Sequence, residues 1–405
     1  MIGAGQAAFQ LAASARAAGY QERIILVGAE RELPYQRPPL SKAYLLGKTT
    51  REGLAFRKQE FFDSNRIELC LGHVATKIDS HDRVLHAGSA RIEFDRLVIA
   101  TGARNRKLRD DLARLRGVLS LRDLGDADQL ADALRHASRI VVIGGGFIGL
   151  EVAAVARSLG KEVVVAEAQR RLLGRAVSPQ IASRIQRRHV EMGIEFLFQS
   201  MVANIEADHG RVSAVHFSNG SVRHADLVIV GIGVEVTDTL AADAGLAVGN
   251  GIRVDSSLRT TNPAILAIGD CASFPGEDGY LRLESVQNAV DQARYAAQVI
   301  VGAASLFYRA VPWFWSDQYD MRLQMAGLSS AADQFVMRGD AESGQFSLFA
   351  FRRGRLIAVE SVNSPADHVM ARKMLEGDCR LSPNEAADRS FDLRSFVKSG
   401  KREIA

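Results

Sequence analysis

Short apolar runs alternate with longer alanine-rich stretches along most of the chain, and this change of period predicts alternating strands and helices. Two segments follow one plan: a glycine cluster, an alanine-rich helix, then an apolar strand ending near an acid. The first predicts a helix over residues 6–18 and a strand over 24–27; the second predicts a strand over 140–143 and a helix over 147–159. Each is typical of a βαβ unit, so the predicted class is α/β with two Rossmann-like dinucleotide-binding domains.

The pattern changes after the second unit. Further elements are predicted as strands over residues 192–198, 211–217 and 227–230 and a helix over 285–300. From about residue 311 the chain carries Trp313, Phe314 and Trp315, followed by candidate strands at 346–351 and 356–362 with a basic turn between them. Two strands joined by a short turn predict a hairpin, and therefore a C-terminal α+β domain.

Composition narrows the class of protein. A chain of 405 residues is long enough for two or three domains, and 47% apolar with 24% charged residues excludes a disordered or fibrous protein. The net charge of +4 is spread along the chain, which argues against nucleic-acid binding. No apolar run is long enough for a membrane span and no signal segment precedes the first motif, so the sequence predicts a cytoplasmic protein.

The cysteines give no sign of a disulfide framework or a metal site. Cys70, Cys271 and Cys379 are odd in number and far apart, which favours reduced thiols. Their spacing matches no metal-ligand pattern.

The first glycine cluster comprises Gly3, Gly5 and the small residues Ala7 and Ala8. The first glycine permits a tight turn, the second lets the backbone approach a pyrophosphate, and Ala8 allows the helix to lie close to a strand. A phosphate would bind at the helix N-terminus. A single match of this kind also occurs in turns that bind no ligand.

The second cluster has the same spacing in Gly144, Gly146 and Gly149, and it follows an apolar strand and opens a helix. Glu167 comes about 20 residues later at a strand end, where an acid can accept hydrogen bonds from ribose hydroxyls and repel a 2′-phosphate. The second unit therefore predicts a site for NADH in preference to NADPH, although an acid at this place can also serve packing alone.

Two dinucleotide sites in one chain suggest a relay of electrons, because nicotinamide delivers two electrons together and a flavin can release them singly. Two further turns favour a flavin. They are Ala100-Thr101-Gly102 and Gly269-Asp270, each directly after a short apolar run, and such turns lie near FAD in flavoproteins that bind two dinucleotides.

With these motifs the chain resembles the FAD-dependent pyridine nucleotide-disulfide oxidoreductase superfamily. Within it, the chain is similar to the ferredoxin reductases of bacterial oxygenase systems, of the putidaredoxin reductase and biphenyl dioxygenase reductase type. The resemblance covers nearly the whole chain, and its most specific segments are residues 38–42, 144–151, 269–272, 284–289 and 312–318.

The resemblance implies three domains: an FAD domain of residues 1–107 and 232–310, an NADH domain of 108–231, and an interface domain of 311–405. The implied FAD contacts are Gly3, Gly5, Ala7, Ala8, Glu30, Lys42, Ala75, Ala100, Thr101, Gly102, Arg122, Gly269, Asp270, Val286 and Trp315. The implied NADH contacts are Gly144, Gly146, Phe147, Ile148, Gly149, Glu151, Glu167 and Gly233.

Lys42 and Glu151 are the implied catalytic residues. The family places this lysine beside the flavin and pairs it with the glutamate, so together they would position nicotinamide and balance charge on reduced flavin. On the motifs alone, a surface lysine at Lys42 and an acid on a helix face at Glu151 are the less favoured alternatives. Asp270, at the start of a helical segment, would accept from a ribityl hydroxyl, with a solvated helix cap as the less favoured alternative. Trp313 and Trp315 would cover the flavin, define the electron exit or pack in a core.

Three features depart from the family pattern. The family's acid for the FAD ribose aligns with Ala29, which leaves Glu30 to serve one residue later and predicts weaker FAD binding. Residues 231–238 lack the usual Pro-Asn after the glycine pair. Only Met1 and Ile2 precede the first glycine, which predicts lost main-chain pairing in a central strand and a looser FAD site, unless the given sequence lacks residues at its start.

The predicted function is an NADH-dependent ferredoxin reductase that passes single electrons to a small [2Fe-2S] ferredoxin, which would serve a cytochrome P450 or a ring-hydroxylating dioxygenase. A rubredoxin is the alternative acceptor. An apoptosis-inducing-factor-like redox sensor and an enzyme that acts directly on oxygen or a small molecule are rival hypotheses. Thiol chemistry is disfavoured because no cysteine lies near Lys42 in sequence.

The sequence also predicts how the protein assembles and where a carrier would dock. A monomer or weak dimer is expected. A basic segment could receive an acidic carrier or could be an ordinary solvated face; its residues are Arg104, Arg106, Lys107 and Arg109.

Overall fold

The computed structural model of the chain describes residues 1–304, 306–377 and 380–400, and in it the apolar runs form strands and the alanine-rich stretches form helices. The helices are α1 (Gln6–Ala17), α2 (Arg51–Leu54), α3 (Gln59–Ser64), α4 (Asp110–Ala113), α5 (Leu124–His136), α6 (Phe147–Ser158), α7 (Pro179–Glu191), α8 (Thr239–Asp243), α9 (Val286–Val301), α10 (Pro365–Glu376), α11 (Pro383–Ala387) and α12 (Leu393–Gly400). Single 3₁₀ turns occur at Pro38–Ser41, Gly269–Cys271 and Ser329–Ala331.

The strands are β1 (Ile24–Gly28), β2 (Ile67–Leu71), β3 (Ala75–Asp79), β4 (Val84–Ala87), β5 (Ala90–Glu93), β6 (Leu97–Ile99), β7 (Ala103–Asn105), β8 (Val118–Ser120), β9 (Arg139–Ile143), β10 (Glu162–Glu167), β11 (Glu195–Phe198), β12 (Val202–Asp208), β13 (Arg211–Phe217), β14 (Val222–His224), β15 (Leu227–Val230), β16 (Val234–Val236), β17 (Val248–Gly249), β18 (Gly251–Arg253), β19 (Ile265–Ala267), β20 (Ala272–Gly276), β21 (Gly279–Leu281), β22 (Trp313–Gln318), β23 (Met321–Gly327), β24 (Gln334–Asp340), β25 (Gln345–Arg352) and β26 (Arg355–Val362).

The chain divides into two units. The first comprises Met1–Arg37, Thr49–Arg104 and Val234–Ala310, and the second comprises Pro38–Lys48, Asn105–Gly233 and Val311–Ala405. Pro38–Lys48 thus lies with the second unit, although the resemblance assigned it to the FAD domain. The C-terminal segment also belongs to the second unit.

The first unit contains a parallel sheet with the start of the chain in it. β1 pairs with β2, and β6 pairs with β19, all in parallel. Ile2 bridges both Val27 of β1 and Ile99 of β6: its amide donates to Val98 O at 2.8 Å, and the amide of Gly3 donates to Val27 O at 2.7 Å. Residues 1–3 therefore keep main-chain pairing on both sides, although only as an isolated bridge and not as a full strand.

Alanines bring two helices of the first unit close together. Helix α1 buries Ala8, Leu11 and Ala12, and it packs against α9, which buries Ala293 and Ala296. Small side chains let the two backbones approach, so the alanine-rich composition has a direct structural reason. Helix α9 begins after the N-cap Ser285 and ends at Gly302, which has a φ of 75°.

In the second unit, a five-stranded parallel sheet has the order β11-β10-β9-β15-β8. Its strands β9 and β15 are almost fully buried, as the apolar runs predicted. The prediction of a strand over 192–198 was wrong at its start. Helix α7 continues to Glu191 and turns at Met192 and Gly193, whose φ is 86°, so the strand begins only at Glu195.

The C-terminal part of the second unit is an antiparallel sheet of order β22-β23-β26-β25-β24, and helices α10, α11 and α12 accompany it. The predicted hairpin is present as β25 and β26. Arg353 and Gly354 at its tip both have positive φ, at 51° and 76°, which matches the twist of a two-residue hairpin turn. The buried side chains of this sheet include Phe346 and Leu323, which share one apolar core with Ile181 and Ile185 of α7.

In the part of the chain that the structure describes, none of the helices combines the length and the apolar character that crossing a membrane requires.

Candidate functional site

The two glycine clusters fold into the same turn. Gly3 has a φ of 114°, and a Cβ on it would lie 2.3 Å from Ala100 O. Gly144 has a φ of 106°, and a Cβ on it would lie 2.3 Å from Gly231 O. Each first glycine is thus required both by its backbone conformation and by the neighbouring strand.

The second glycine of each cluster is required neither by its backbone conformation nor by a neighbouring strand. Gly5 and Gly146 are the N-caps of α1 and α6, with φ of −87° and −82°, which any residue can adopt. A Cβ on Gly5 would have no atom of the described residues within 4 Å, and one on Gly146 would lie 3.9 Å from Gly231 O. The space that a Cβ would fill is the space in which a pyrophosphate approaches the backbone.

Both helices leave their first amides available for such a group. Neither N-cap has a side chain that accepts a hydrogen bond, and each helix is 12 residues long. The third positions also fit, since Ala8 is fully buried and a Cβ on Gly149 would lie 2.3 Å from Gly144 O. The residues present therefore fit a dinucleotide phosphate at each helix.

Two carboxylates lie at the ends of the strands that follow these helices. Glu167, the last residue of β10, accepts from the amides of Gly145 and Gln169, both at 2.7 Å. Glu30, two residues after β1, accepts from the Tyr35 hydroxyl and the Arg37 guanidinium. Each acid is held in place and retains lone pairs for a further donor.

The other predicted FAD residues of the first unit form a second group around Gly269, which follows the end of β19. A Cβ on Gly269 would lie 3.2 Å from Ala7 Cβ, and its amide donates to Gln292 Oε1 at 2.7 Å. Asp270 lies half-buried in the 3₁₀ turn, and its carbonyl accepts from Arg282. Val286 is the first residue of α9.

The predicted turn after β6 is pinned to the returning chain. Ala100 N donates to Ile2 O at 2.8 Å, Thr101 Oγ1 donates to Thr237 O at 2.7 Å, and Gly102 has a φ of 68°. Ala75 begins β3 and is partly buried. These residues belong to the first unit.

Three predicted FAD contacts, Lys42, Arg122 and Trp315, belong instead to the second unit. Arg122 precedes α5, and its amide donates to Asp126 at 2.8 Å. Trp315 is half-buried in β22, 6.0 Å from the Trp313 ring. Trp313 in turn packs against the apolar core of the C-terminal sheet, with the Arg372 guanidinium 4.2 Å from its ring.

The remaining NADH residues surround the second glycine turn. Phe147 packs against Phe314 with ring centroids 4.7 Å apart, and Ile148 is 46% exposed. Gly233 has a φ of 94°, and its carbonyl accepts from Arg106 N at 3.0 Å.

Lys42 and Glu151 form an ion pair inside the second unit. Lys42 Nζ lies 2.6 Å from Glu151 Oε2, and the Glu151 side chain is only 2% exposed. Ser41 Oγ donates to the same oxygen at 2.5 Å, and Ser316 Oγ donates to Oε1 at 2.6 Å. The structure thus rejects both a surface lysine and a solvated helix-face acid.

Sequence reasoning missed Ser41 and Ser316 as partners of Glu151. Both lie within the segments that carry the family resemblance, residues 38–42 and 312–318. A serine has no diagnostic spacing, however, and these two stand 110 and 165 residues from Glu151 in the chain.

The described residues offer no group of three or more histidine, cysteine or acidic side chains that could hold a metal ion. Cys70 and Cys271 are free thiols, and burial raises the pKa of Cys271. Cys379 lies outside the described residues.

Two glycine-turn units, each opening on a helix N-terminus that no side chain in the described ranges caps, define a protein built to bind two dinucleotides. Residues 1–293 match the pyridine nucleotide-disulphide oxidoreductase family, and residues 313–397 match the reductase C-terminal domain. The chain belongs to this family of oxidoreductases.

The sequence of the chain matches those of its relatives along nearly the whole length. A rhodocoxin reductase of Rhodococcus erythropolis is 50% identical over 404 residues, which cover 99% of this chain and 94% of that protein. The crystal structure of the ferredoxin reductase for the CYP199A2 system of Rhodopseudomonas palustris has a TM-score of 0.95, with 46% identity and 98% of each chain covered. A covalent putidaredoxin reductase–putidaredoxin complex also gives 0.95, with 36% identity and coverage of 99% and 98%.

Proposed function

We propose that this protein is an NADH-dependent, FAD-containing ferredoxin reductase. The observation that carries the proposal is the pair of matching cradles at Gly5 and Gly146, each of which leaves room for a pyrophosphate at a helix N-terminus. Membership in the oxidoreductase family supports both cofactors. The chemistry that FAD would supply is acceptance of two electrons together from NADH and their release one at a time.

The protein's own residues bind and orient the two cofactors. The amides at the start of α1 and α6 would bind the pyrophosphates of FAD and NADH respectively. Glu30 and Glu167 would accept from the adenosine riboses, and Asp270 from the ribityl chain. Glu167, with both oxygens already held by backbone amides, presents a fixed negative charge, which favours NADH over NADPH.

The Lys42–Glu151 pair supplies charge and position where electrons move. Lys42 would place its ammonium where negative charge develops during reduction, and Glu151 would keep that ammonium in place. Since the carboxylate is buried and both of its oxygens accept hydrogen bonds, little reorganisation is needed as the reaction proceeds.

The electron acceptor we propose is a small [2Fe-2S] ferredoxin that supplies an oxygenase such as a cytochrome P450 or a ring-hydroxylating dioxygenase. The names of the relatives support this class of partner: one is a rhodocoxin reductase, one a ferredoxin reductase, and one is joined covalently to putidaredoxin. A cytoplasmic location fits Cys70 and Cys271, the free cysteines of the described ranges.

The test is NADH-dependent cytochrome c reduction by FAD-loaded protein, with and without a [2Fe-2S] ferredoxin from the same source. We expect the ferredoxin to raise the rate many-fold. Acceleration by a rubredoxin alone would identify that carrier instead. Flavin reduction with no effect of either carrier would refute the reductase and favour a direct oxidase or a redox sensor.

A further inference from the structure

Three buried side chains continue the hydrogen-bond network beyond Glu151. Gln318 Nε2 lies 3.0 Å from Ser316 Oγ, and His189 Nε2 lies 2.8 Å from Gln318 Oε1. Ser316 and His189 are fully buried, and Gln318 is 3% exposed. A continuous chain of polar groups thus runs from α7, through β22, to the carboxylate on α6.

The donors in this chain all point toward Glu151. Both oxygens of a carboxylate can only accept hydrogen bonds, so Ser316 must donate its single hydroxyl hydrogen to Oε1. The remaining contact of Ser316 then requires a donor, which fixes the Nε2 amide group of Gln318 on that side. Gln318 Oε1 consequently faces His189, whose Nε2 must carry a hydrogen.

The surroundings of His189 fit this tautomer. Burial lowers the pKa of His189 to about 4, so the ring is neutral near pH 7 and carries one N–H. Within the described ranges Nδ1 has no hydrogen-bond partner, which leaves Nε2 as the bonded nitrogen. Tyr319 and Phe196 meet the ring edge to face, at 5.1 and 6.1 Å, and hold its orientation.

As a result, the two oxygens of Glu151 have different hydrogen-bond partners. Oε1 is held by Ser316, while Oε2 receives Lys42 and Ser41. If Ser316 stopped donating, the carboxylate could rotate, and Oε2 would no longer be held toward Lys42. The position of the ammonium therefore depends on a histidine that reaches it only through three other side chains.

We propose that His189, Gln318 and Ser316 are positioning residues, a one-way donor chain that orients the Glu151 carboxylate and thereby sets the place of the Lys42 ammonium. The structural part stands on the contacts above. Its kinetic consequence rests on the proposed reductase function.

The first readout needs no turnover. In the FAD-loaded protein, an amine-acylating reagent in limiting amount labels lysines, and mass spectrometry gives the rate at Lys42 relative to Lys48, an exposed lysine of the same segment. Ser316→Ala should raise this ratio by about tenfold, because the carboxylate releases the amine, and Gln318→Leu should raise it less. Ser316→Thr, which keeps the hydroxyl, should restore the normal ratio.

The second readout is the limiting rate of flavin reduction by NADH in a stopped-flow instrument. Ser316→Ala should lower it by about tenfold while changing little the NADH concentration at half-maximal rate, because the proposed contacts to the pyrophosphate and ribose of NADH, at the start of α6 and at Glu167, are intact. Ser347→Ala is the matched control, since Ser347 is also a fully buried serine on a strand of the C-terminal sheet, bonded to Ser361 and Asp367.

The proposal is overturned if Ser316→Ala and Gln318→Leu behave like Ser347→Ala in Lys42 reactivity. Should Ser316→Ala fail to fold, Gln318→Leu, three contacts from Lys42, decides alone. If NADH does not reduce the flavin of the wild-type protein, the proposed function is overturned instead. The Lys42 reactivities would still support or refute the donor chain.

Discussion

Among single residues, Lys42 is predicted to stabilise the fold, because it is the cation that compensates the buried charge of Glu151. Lys42→Met leaves that carboxylate without its cation, and we expect the free energy of unfolding to fall by about 3 kcal/mol. Lys42→Met combined with Glu151→Gln should recover much of this loss, since no charge remains buried. Urea unfolding of the two single variants and the double variant measures the coupling; additive losses would contradict the ion pair's role.

Glu167 sets the choice between NADH and NADPH in the proposed function. Removing its charge by Glu167→Gln should shrink the ratio of kcat/KM for NADH to that for NADPH by about tenfold, since a 2′-phosphate would no longer meet a fixed carboxylate. Glu162→Gln is the control, because Glu162 is an exposed acid at the opposite end of the same strand. A ratio that changes equally in both variants would remove Glu167 from the ribose site.

At this scale the sequence identified the charged pair but not its surroundings. Lys42 and Glu151 were predicted through the family resemblance, and the structure places them 2.6 Å apart. Ser316, Gln318 and His189 carry no such signal, because their roles depend on contacts between residues over 100 positions apart in the chain. Such contacts exist only after folding, and serine or glutamine in a sequence is compatible with almost any environment.

Among the elements, the two glycine turns separate positions needed for folding from positions needed for binding. Gly5→Ala and Gly146→Ala should leave the far-UV circular dichroism spectrum unchanged, since φ is ordinary and space is open at both sites. Each should weaken the binding of one cofactor by about tenfold or more, because the new methyl group occupies the space in which the pyrophosphate approaches the backbone. The affected cofactor is FAD for Gly5→Ala and NADH for Gly146→Ala.

The matched controls are the first glycines of the same turns. Gly3→Ala and Gly144→Ala should lower stability or soluble yield, since a Cβ would lie 2.3 Å from a carbonyl oxygen in each. Equilibrium dialysis of FAD and NADH with the folded variants gives the dissociation constants. Unchanged binding in Gly5→Ala or Gly146→Ala would refute the corresponding cradle.

Asp226 joins two neighbouring parallel strands at their starts. It accepts from the Arg139 side chain at 2.7 Å and from the amides of Arg139 and Ser138, and these contacts hold the pKa of its carboxyl at about 2. A lowered pKa means that the stabilisation, about 1–2 kcal/mol, is complete above about pH 4 and is lost as the pH falls through about 2.

Asp226→Asn should therefore speed hydrogen exchange of the β9 and β15 amides near pH 7, and the difference from wild type should shrink between about pH 4 and pH 2. Asp132→Asn, which breaks an exposed pair with Arg135 on α5, is the control and should leave exchange in the sheet unchanged. A difference that persists to the lowest pH would show that shape, not charge, is responsible.

Element boundaries were predicted best where the apolar period was strong. The strand predicted over 227–230 has those bounds, and the helix over 147–159 is one residue too long. The error at 192–198 has a local cause: Met192 is apolar and was counted with the strand, but Gly193 in a left-handed conformation turns the chain first. Periodicity cannot distinguish an apolar helix C-cap from an apolar strand residue.

For the whole molecule, the fold class and the order of the segments followed from the sequence, but the membership of Pro38–Lys48 did not. This segment lies between residues of the first unit in the chain and yet belongs to the second. Its two prolines, Pro38 and Pro39, stiffen the backbone but do not specify which unit it joins. Its placement follows from contacts that composition does not encode, such as Ser41 and Lys42 with Glu151 and the Tyr44 hydroxyl with Asp128.

The charges of the basic segment determine how strongly it could attract an acidic carrier. In the basic segment, Arg104 pairs with Glu235 at 2.7 Å and Arg109 pairs with Asp111 at 3.0 Å, so part of the positive charge is already balanced. Lys107 is exposed, and we expect it to contribute more than those arginines to attracting a carrier.

Lys107→Glu should raise the apparent KM for the [2Fe-2S] ferredoxin by about threefold to tenfold, with kcat unchanged, and the effect should diminish as salt is added. Lys58→Glu, at an exposed lysine outside the segment, carries the same change in net charge and should have little effect. Ferredoxin-dependent cytochrome c reduction at low and high ionic strength measures both. Equal effects of the two substitutions would mean that only overall charge steers the carrier, and the segment would not be its docking site.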